Sequence, residues 1–231
     1  MSHNLHMIEG APAPITLKEV RNYPRVKDYI EGANELLRSM GYTEHGTRHA
    51  QIVSGMTRYI LQHAGAPERE QELGAIAAYL HDIGNVVNRI VHPMIGALLA
   101  ESILRDAGMP NHEIVPIIGA IGNHEENEGQ PISRMSAALI IADKSDVHYS
   151  RVQNPVLETF DIHDRVNYAV QKSRIEMANT HDIVLELEID TKFATLIEYF
   201  EIFLSRMVMC RASAEVLGYS FRLIINGTTL E

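Results

Sequence analysis

The chain has 231 residues, 45% hydrophobic and 22% charged, a balance that excludes wholesale disorder and suffices for one large core with a smaller appendage. Thirty acidic against 20 basic residues leave a formal charge of -10, which excludes bulk binding to nucleic acid or to an anionic membrane. Any phosphate-bearing substrate must then be met by local cations, either a metal or a few placed Arg and Lys. The single cysteine, Cys210, excludes an internal disulfide and points to a reducing, cytoplasmic setting.

Residues 1–14 carry Ala-Pro-Ala-Pro and no long apolar run, so they read as a flexible arm and not as a signal peptide. No later segment reads as a membrane span. From Ile15 to Met40 apolar residues recur at helical spacing, interrupted at Pro24 and closed by Gly41, which predicts one or two helices. A second helix is expected from Thr47 to Ala64, stopped by Gly65. A third opens at Pro67, runs through Leu80 into His81-Asp82 and stops at Gly84. A fourth spans His92 to Ala107, a fifth Pro110 to Gly122, and a sixth Ile132 to about Tyr149. Helices of this number with short connections make a bundle.

Beyond Asn154 the pattern changes. Val166, Tyr168 and Val170 alternate with polar residues, as does the run Ile183 to Ile189, and both predict strands joined by a hairpin at 179–182. A long helix, Lys192 to Leu217, and a third strand, Tyr219 to Ile225, complete the reading. The expected organisation is therefore a mainly α (α+β) chain: a helical core over 15–153, then a small α+β subdomain over 154–231 whose antiparallel sheet is backed by the long helix. That sheet has no ligand motif, which leaves it the roles of shaping a pocket or forming a homodimer interface.

Six side chains stand out as candidate metal ligands: His49, His81, Asp82, His92, His124 and Asp143. All but Asp143 are expected near helix ends, where a bundle gathers inward ligands around one cavity. Neutral imidazole nitrogen and carboxylate oxygen both suit a divalent cation. For the adjacent pair His81-Asp82 taken alone, a buried ion pair at a helix C-terminus is the alternative. Glu125 and Glu126 beside His124 are either a general base and orienting groups or an acidic loop. Lys144 and Arg151 either reach substrate oxygens or form a solvated cationic face. His45 lies one turn before His49 and is either a further ligand or a substrate contact, although Gly46 suggests that the helix starts after it. Asp146 is a helper or a salt-bridge partner, and His3, His6, His63, His112, His148, His163 and His181 read as surface residues, with a place beside the site left open for His148.

The order His49, then His81-Asp82, then Asp143 resembles the HD superfamily of metal-dependent phosphohydrolases. His49-Ala50-Gln51-Ile52-Val53, Leu80-His81-Asp82-Ile83-Gly84 and Ile141-Ala142-Asp143-Lys144-Ser145-Asp146 are similar to its three phrases. The resemblance covers roughly residues 40–151 and implies that His49, His81, Asp82 and Asp143 bind a first divalent metal. His92-Pro93 with Gly96-Ala97, and Asn123-His124-Glu125, resemble the extra ligands of dinuclear branches, with Asp82 bridging. The implied cofactors are one or two ions of Mn, Fe, Mg, Ni, Co or Zn. The implied reaction is hydrolysis of a phosphomonoester or phosphodiester, possibly of a nucleotide, by a metal-held hydroxide, assisted by Asp82, Glu125, Lys144 and Arg151; the implied partner is a small phosphorylated substrate. Asn85 stands where the cyclic-dinucleotide branch often has Lys, and no Gly-Tyr-Pro phrase occurs, which disfavours that branch. The same six ligands also fit a mixed-valence di-iron oxygenase, and a silent sensor that keeps the fold is a third reading.

Overall fold

The computed structural model describes residues 13–178 and 181–230, so most of the expected N-terminal arm and the centre of the expected hairpin lie outside it. Of the one or two helices expected first there are two: α1 (Leu17–Arg21), opened by a reciprocal cap between Thr16 and Glu19, and α2 (Pro24–Ser39). Pro24 sits in the first turn of α2, where its missing N–H costs nothing. The core continues with α3 (Thr47–His63), α4 (Glu68–Leu80), α5 (His92–Asp106), α6 (Asn111–Gly122) and α7 (Arg134–Ser145). α3 packs on α4 and α7, α5 on α6, and α4 against both α6 and α7. Between α3 and α4 the buried Ser54 hydroxyl donates to the Ala75 carbonyl at 2.8 Å, which keeps its polar group satisfied inside the apolar seam.

The junction after α4 sets the geometry of everything that follows. α4 ends at Leu80, earlier than expected, and Ile83–Val86 forms a tight 3-10 turn. Gly84 is not the helix stop that the sequence suggests. Its requirement is space: a Cβ there would lie 2.1 Å from the His92 carbonyl oxygen and 2.5 Å from the Gly96 backbone nitrogen. The start of α5 therefore rests directly on the turn that carries His81 and Asp82. Gly84→Ala must separate two backbones, and we expect a loss of about 1–3 kcal/mol in stability, read as a lower urea midpoint at unchanged m-value. An unchanged midpoint would mean that the turn and α5 are not in contact.

The C-terminal part departs from expectation twice. The stretch read as a first strand is helical, α8 (Ile162–Ala169), capped by the Asp161 carboxylate accepting from the Asp164 N–H at 2.8 Å. Val166 and Ala169 are buried at helical spacing, a pattern that competes with the Val166, Tyr168, Val170 alternation and wins because Asp161 supplies the cap. Strands follow as β1 (Val170–Ala178), β2 (Asp182–Ile189), β3 (Ser220–Ile225) and β4 (Thr228–Leu230), with α9 (Leu196–Leu217) between β2 and β3. The sheet is mixed, not antiparallel: β1–β2 and β3–β4 run antiparallel, while β2 and β3 run parallel. The long helix is the reason, since α9 carries the chain from the end of β2 back to the start of β3. Ile175, Leu185 and Leu223 fall in one row across three strands and bury the same face. α9 packs on α7 as well as on β3, so one apolar core runs from Val20 to Ile225. Among the described residues no helix is long and apolar enough to cross a membrane.

Candidate metal centre

All six candidate ligands converge. His49 lies in the first turn of α3, His81 caps α4, Asp82 follows it, His92 opens α5, and His124 comes two residues after the last residue of α6. Asp143 belongs to this scheme too. α7 stops at Ser145 and not near Tyr149, which puts Asp143 in a last turn and not in mid-helix. The four imidazoles are buried, and the Asp82 side chain is 11% exposed.

Each histidine is held by its Nδ1. His81, His92 and His124 donate Nδ1–H to the carbonyl three residues earlier, Ala78, Arg89 and Ile121, at 2.6–2.7 Å. His49 donates instead to the Asp146 carboxylate at 2.7 Å. In the neutral ring this leaves each Nε2 as a lone pair, and those lone pairs point at one another, with Arg89 Nη1 also 3.1 Å from His92 Nε2. His49 Nε2 and His81 Nε2 are 3.3 Å apart, and His92 Nε2 and His124 Nε2 are 3.1 Å apart. Two facing acceptors repel unless a proton or a cation lies between them.

The carboxylates face the same points. Asp82 Oδ2 lies 3.3 Å from His81 Nε2 and 3.6 Å from His49 Nε2 and is buried without a hydrogen-bond partner among the described residues. Its other oxygen lies 3.3 Å from His92 Nε2 and 3.9 Å from His124 Nε2. Asp143 Oδ1 is 3.2 Å from His49 Nε2 and 3.6 Å from His81 Nε2. Three overlapping sets, His49/His81/Asp82, His81/His124/Asp143 and Asp82/His92/His124, bring their donor atoms within 4.8 Å of one another. Asp82 thus presents one oxygen to each histidine pair. The donor set fits divalent ions: neutral nitrogens, ionised oxygens, an orphaned buried acceptor and lone pairs in opposition.

The electrostatics describe a pocket that favours positive charge. Burial resists a proton on His81, but Asp82 and Asp143 outweigh it and push that pKa up to about 10. For His124 burial dominates, helped by His81 and His92, and holds its pKa well below the usual imidazole value. Burial opposes ionisation of Asp82 and Asp143, yet His81 in the first case and Lys144 in the second keep both carboxyl groups well below the ordinary range.

The surrounding charges are more ordered than the sequence indicates. Lys144 is not on a solvated face. It is buried and contacts Asp143 at 2.9 Å and Glu126 at 2.8 Å, with Glu125 at 3.9 Å. Arg151 is likewise buried, donating to the Glu44 carbonyl through Nε and Nη2 and to the Asp146 carbonyl through Nη1. Glu125 lies 3.5 Å from His92 Nε2 and 3.4 Å from Arg89, and burial raises its pKa against the pull of Lys144. The loop that carries Glu125 and Glu126 is therefore part of the site's wall and not a solvated acidic loop. His45 is outside the donor sets. Its Nδ1 donates to the Thr43 carbonyl, α3 starts after Gly46, and the ring stands 5.5 Å from that of His49 at the pocket's edge.

Sequence reasoning missed four contributors. Asn85 donates to both the Asp82 carbonyl and Asp82 Oδ1, at 3.0 and 2.9 Å, and so aims that carboxylate. Arg48 pairs with Asp146 at 3.1 Å, one residue before His49. Arg89 and Arg206 line the pocket above the donors together with His45, Lys144 and Arg151. Asn85 was visible as one turn from Asp82, but Arg206 on α9 carries no local signal. Its role comes from α9 crossing over α7.

No family model matches the chain. The resemblance to the HD superfamily rests on these residues and on their order. An uncharacterized protein of Methanocaldococcus jannaschii is 23% identical over 206 residues, covering 79% of each chain. A crystal structure described as a predicted HD superfamily hydrolase, from an uncultured Thermotogales bacterium, matches at 22% identity and a TM-score of 0.43, over 58% of this chain and 75% of that one.

Asp146 couples the HD-like residues to the shell around them. It accepts from His49 Nδ1 and from Arg48, and its carboxyl is held below its ordinary pKa against burial, chiefly by Arg151. Asp146→Asn keeps the shape but weakens the hold on His49. We expect metal affinity to fall by about 10–100-fold, measured by competition with a chromophoric chelator. Unchanged affinity would show that His49 needs no such support.

Proposed function

We propose that this protein is an HD-type metal-dependent phosphohydrolase that cleaves a phosphomonoester or phosphodiester of a small substrate. The observation that carries this reading is the opposition of two pairs of imidazole lone pairs across the split Asp82 carboxylate. His49, His81, Asp82 and Asp143 would hold one ion, and His92, His124 and the other oxygen of Asp82 a second. Such ions supply Lewis acidity toward phosphoryl oxygens and lower the pKa of a water toward neutrality.

The chain's own residues supply the rest. Lys144 lines the pocket and is held protonated by Asp143, Glu125 and Glu126, so it meets phosphoryl oxygens as a fixed positive charge. Arg89, Arg151 and Arg206 extend that charge around the mouth. Glu125, with its pKa raised by burial, is placed beside His92 to take or return a proton at Oε2. Burial of the imidazoles keeps bulk water from competing at the donors.

An oxygenase built on the same ligands differs in redox behaviour. The test is an anaerobic metal analysis followed by a phosphoester panel with Mn, Mg and Co. Phosphoester cleavage without oxygen, as phosphate from a monoester or a monoester from a diester, supports the hydrolase. Turnover that requires oxygen, with no phosphoester cleaved in its absence, and that accompanies a half-reduced iron signal in paramagnetic resonance overturns it.

A further inference from the structure

Beside the inner pocket lies a second cavity, of about 440 Å³, between the loop before α3 and the segment that joins α8 and α9 to the core. Its walls include Arg89, Arg151 and Arg206 together with His45, and the same four residues line the inner pocket, so the two spaces are continuous. The one carboxylate in its wall, Asp161, is already used as the cap of α8. Three guanidinium groups thus converge on a polar space that the inner donor set does not fill.

Arg151 is anchored through all three guanidinium nitrogens and contributes fixed charge, whereas Arg206 and Arg89 keep hydrogen-bonding capacity to spare. Among the described residues Arg206 donates only through Nε, to Glu126 at 3.1 Å, and its guanidinium lies 4.7 Å from the centre of the Phe203 ring. Arg89 is positioned over Tyr42, at 5.8 Å from the ring centre, and among the described residues it is engaged through Nη1 alone, 3.0–3.1 Å from the His92 ring nitrogens and 3.4 Å from Glu125. A planar guanidinium braced against an aromatic face keeps its free N–H groups in a fixed fork, which suits a tetrahedral oxyanion. The neighbouring cleft on the other side of Arg89 is different in kind. It is lined by Ile90, Val91, Pro93 and Met94 and carries Glu125 and Glu128, which repel an anion.

We infer that the outer cavity is a subsite for a second phosphate group, so that the substrate carries two: one over the metal donors and one held by Arg89, Arg151 and Arg206. This assignment rests on the phosphohydrolase reading for the inner group only. The outer subsite binds phosphate without any metal.

The experiment is calorimetric titration of inorganic phosphate into the full chain, once after exhaustive chelation and once loaded with Mn. The chelated protein is expected to bind one phosphate per chain and the Mn-loaded protein two. Arg206→Gln and Arg89→Gln should each weaken the metal-independent phosphate at least tenfold, whereas Arg134→Gln, which breaks an exposed pair with Glu70 far from the site, leaves it unchanged. Two variants on separate elements, checked by circular dichroism, separate loss of the subsite from loss of the fold. No saturable binding to the chelated protein, or equal binding in both cavity variants, overturns the subsite. If only the metal-dependent phosphate is missing, the hydrolase reading fails and the subsite stands.

Discussion

His81→Ala is expected to strip bound metal from the protein and to reduce phosphoester turnover to background. His81 Nε2 stands within 3.3–3.6 Å of His49 Nε2, Asp82 Oδ2 and Asp143 Oδ1, and its atoms belong to two of the three overlapping donor sets. Removing it deletes a ligand shared by those sets and leaves two carboxylates without the imidazole that balances them. The fold has reason to survive, because the residue lies just past α4 and, among the described residues, its ring makes a single backbone hydrogen bond, to the Ala78 carbonyl. Metal per chain, by plasma emission after dialysis, should fall from stoichiometric to near zero with an unchanged far-ultraviolet spectrum. Retained turnover in a folded, metal-free variant would remove the site from the chemistry.

Chelation of the wild-type protein should lower its melting temperature substantially. An ion that binds only the folded state stabilises it by about 4 kcal/mol at a thousandfold excess over its dissociation constant, which for a chain of this size corresponds to about 8–16 °C. The chain should nonetheless stay folded without metal, because His81 can take up a proton: its pKa is pushed up to about 10, and the resulting charge sits where a cation would. Asp82→Asn should abolish most of the metal-dependent shift, since Asp82 presents one oxygen to each histidine pair. Equal melting temperatures with chelator and with excess Mn would contradict the coupling. Scanning fluorimetry at fixed pH measures both.

The candidate ligands were legible because metal-binding side chains at helix ends leave a local record. His81-Asp82 follows an apolar run, and the His92 to Gly96 spacing matches the close approach of Gly96 to the His81 carbonyl, 3.0 Å from an added Cβ. The helix ends were legible for the same reason at Pro24 and Gly65, whereas α9 begins at Leu196 behind the Thr195–Glu198 capping box and not at Lys192. Sheet direction was not, since the alternation in β2 and β3 is identical for parallel and antiparallel partners, and only the crossing of α9 decides it. Long-range charge was equally silent. For Lys144 and Arg151 the sequence leaves a solvated face open beside a substrate contact, because nothing local announces that Glu126 and the Glu44 carbonyl reach them across the fold.

The most direct test of the metal centre is an anomalous difference map from crystals soaked in Mn. The donor geometry predicts strong density within coordinating distance of His81 Nε2, Asp82 Oδ2 and Asp143 Oδ1, with a second peak beside Asp82 Oδ1, His92 and His124. Saturating Mn that leaves this cluster without anomalous density, or that gathers only elsewhere on the surface, would contradict the account.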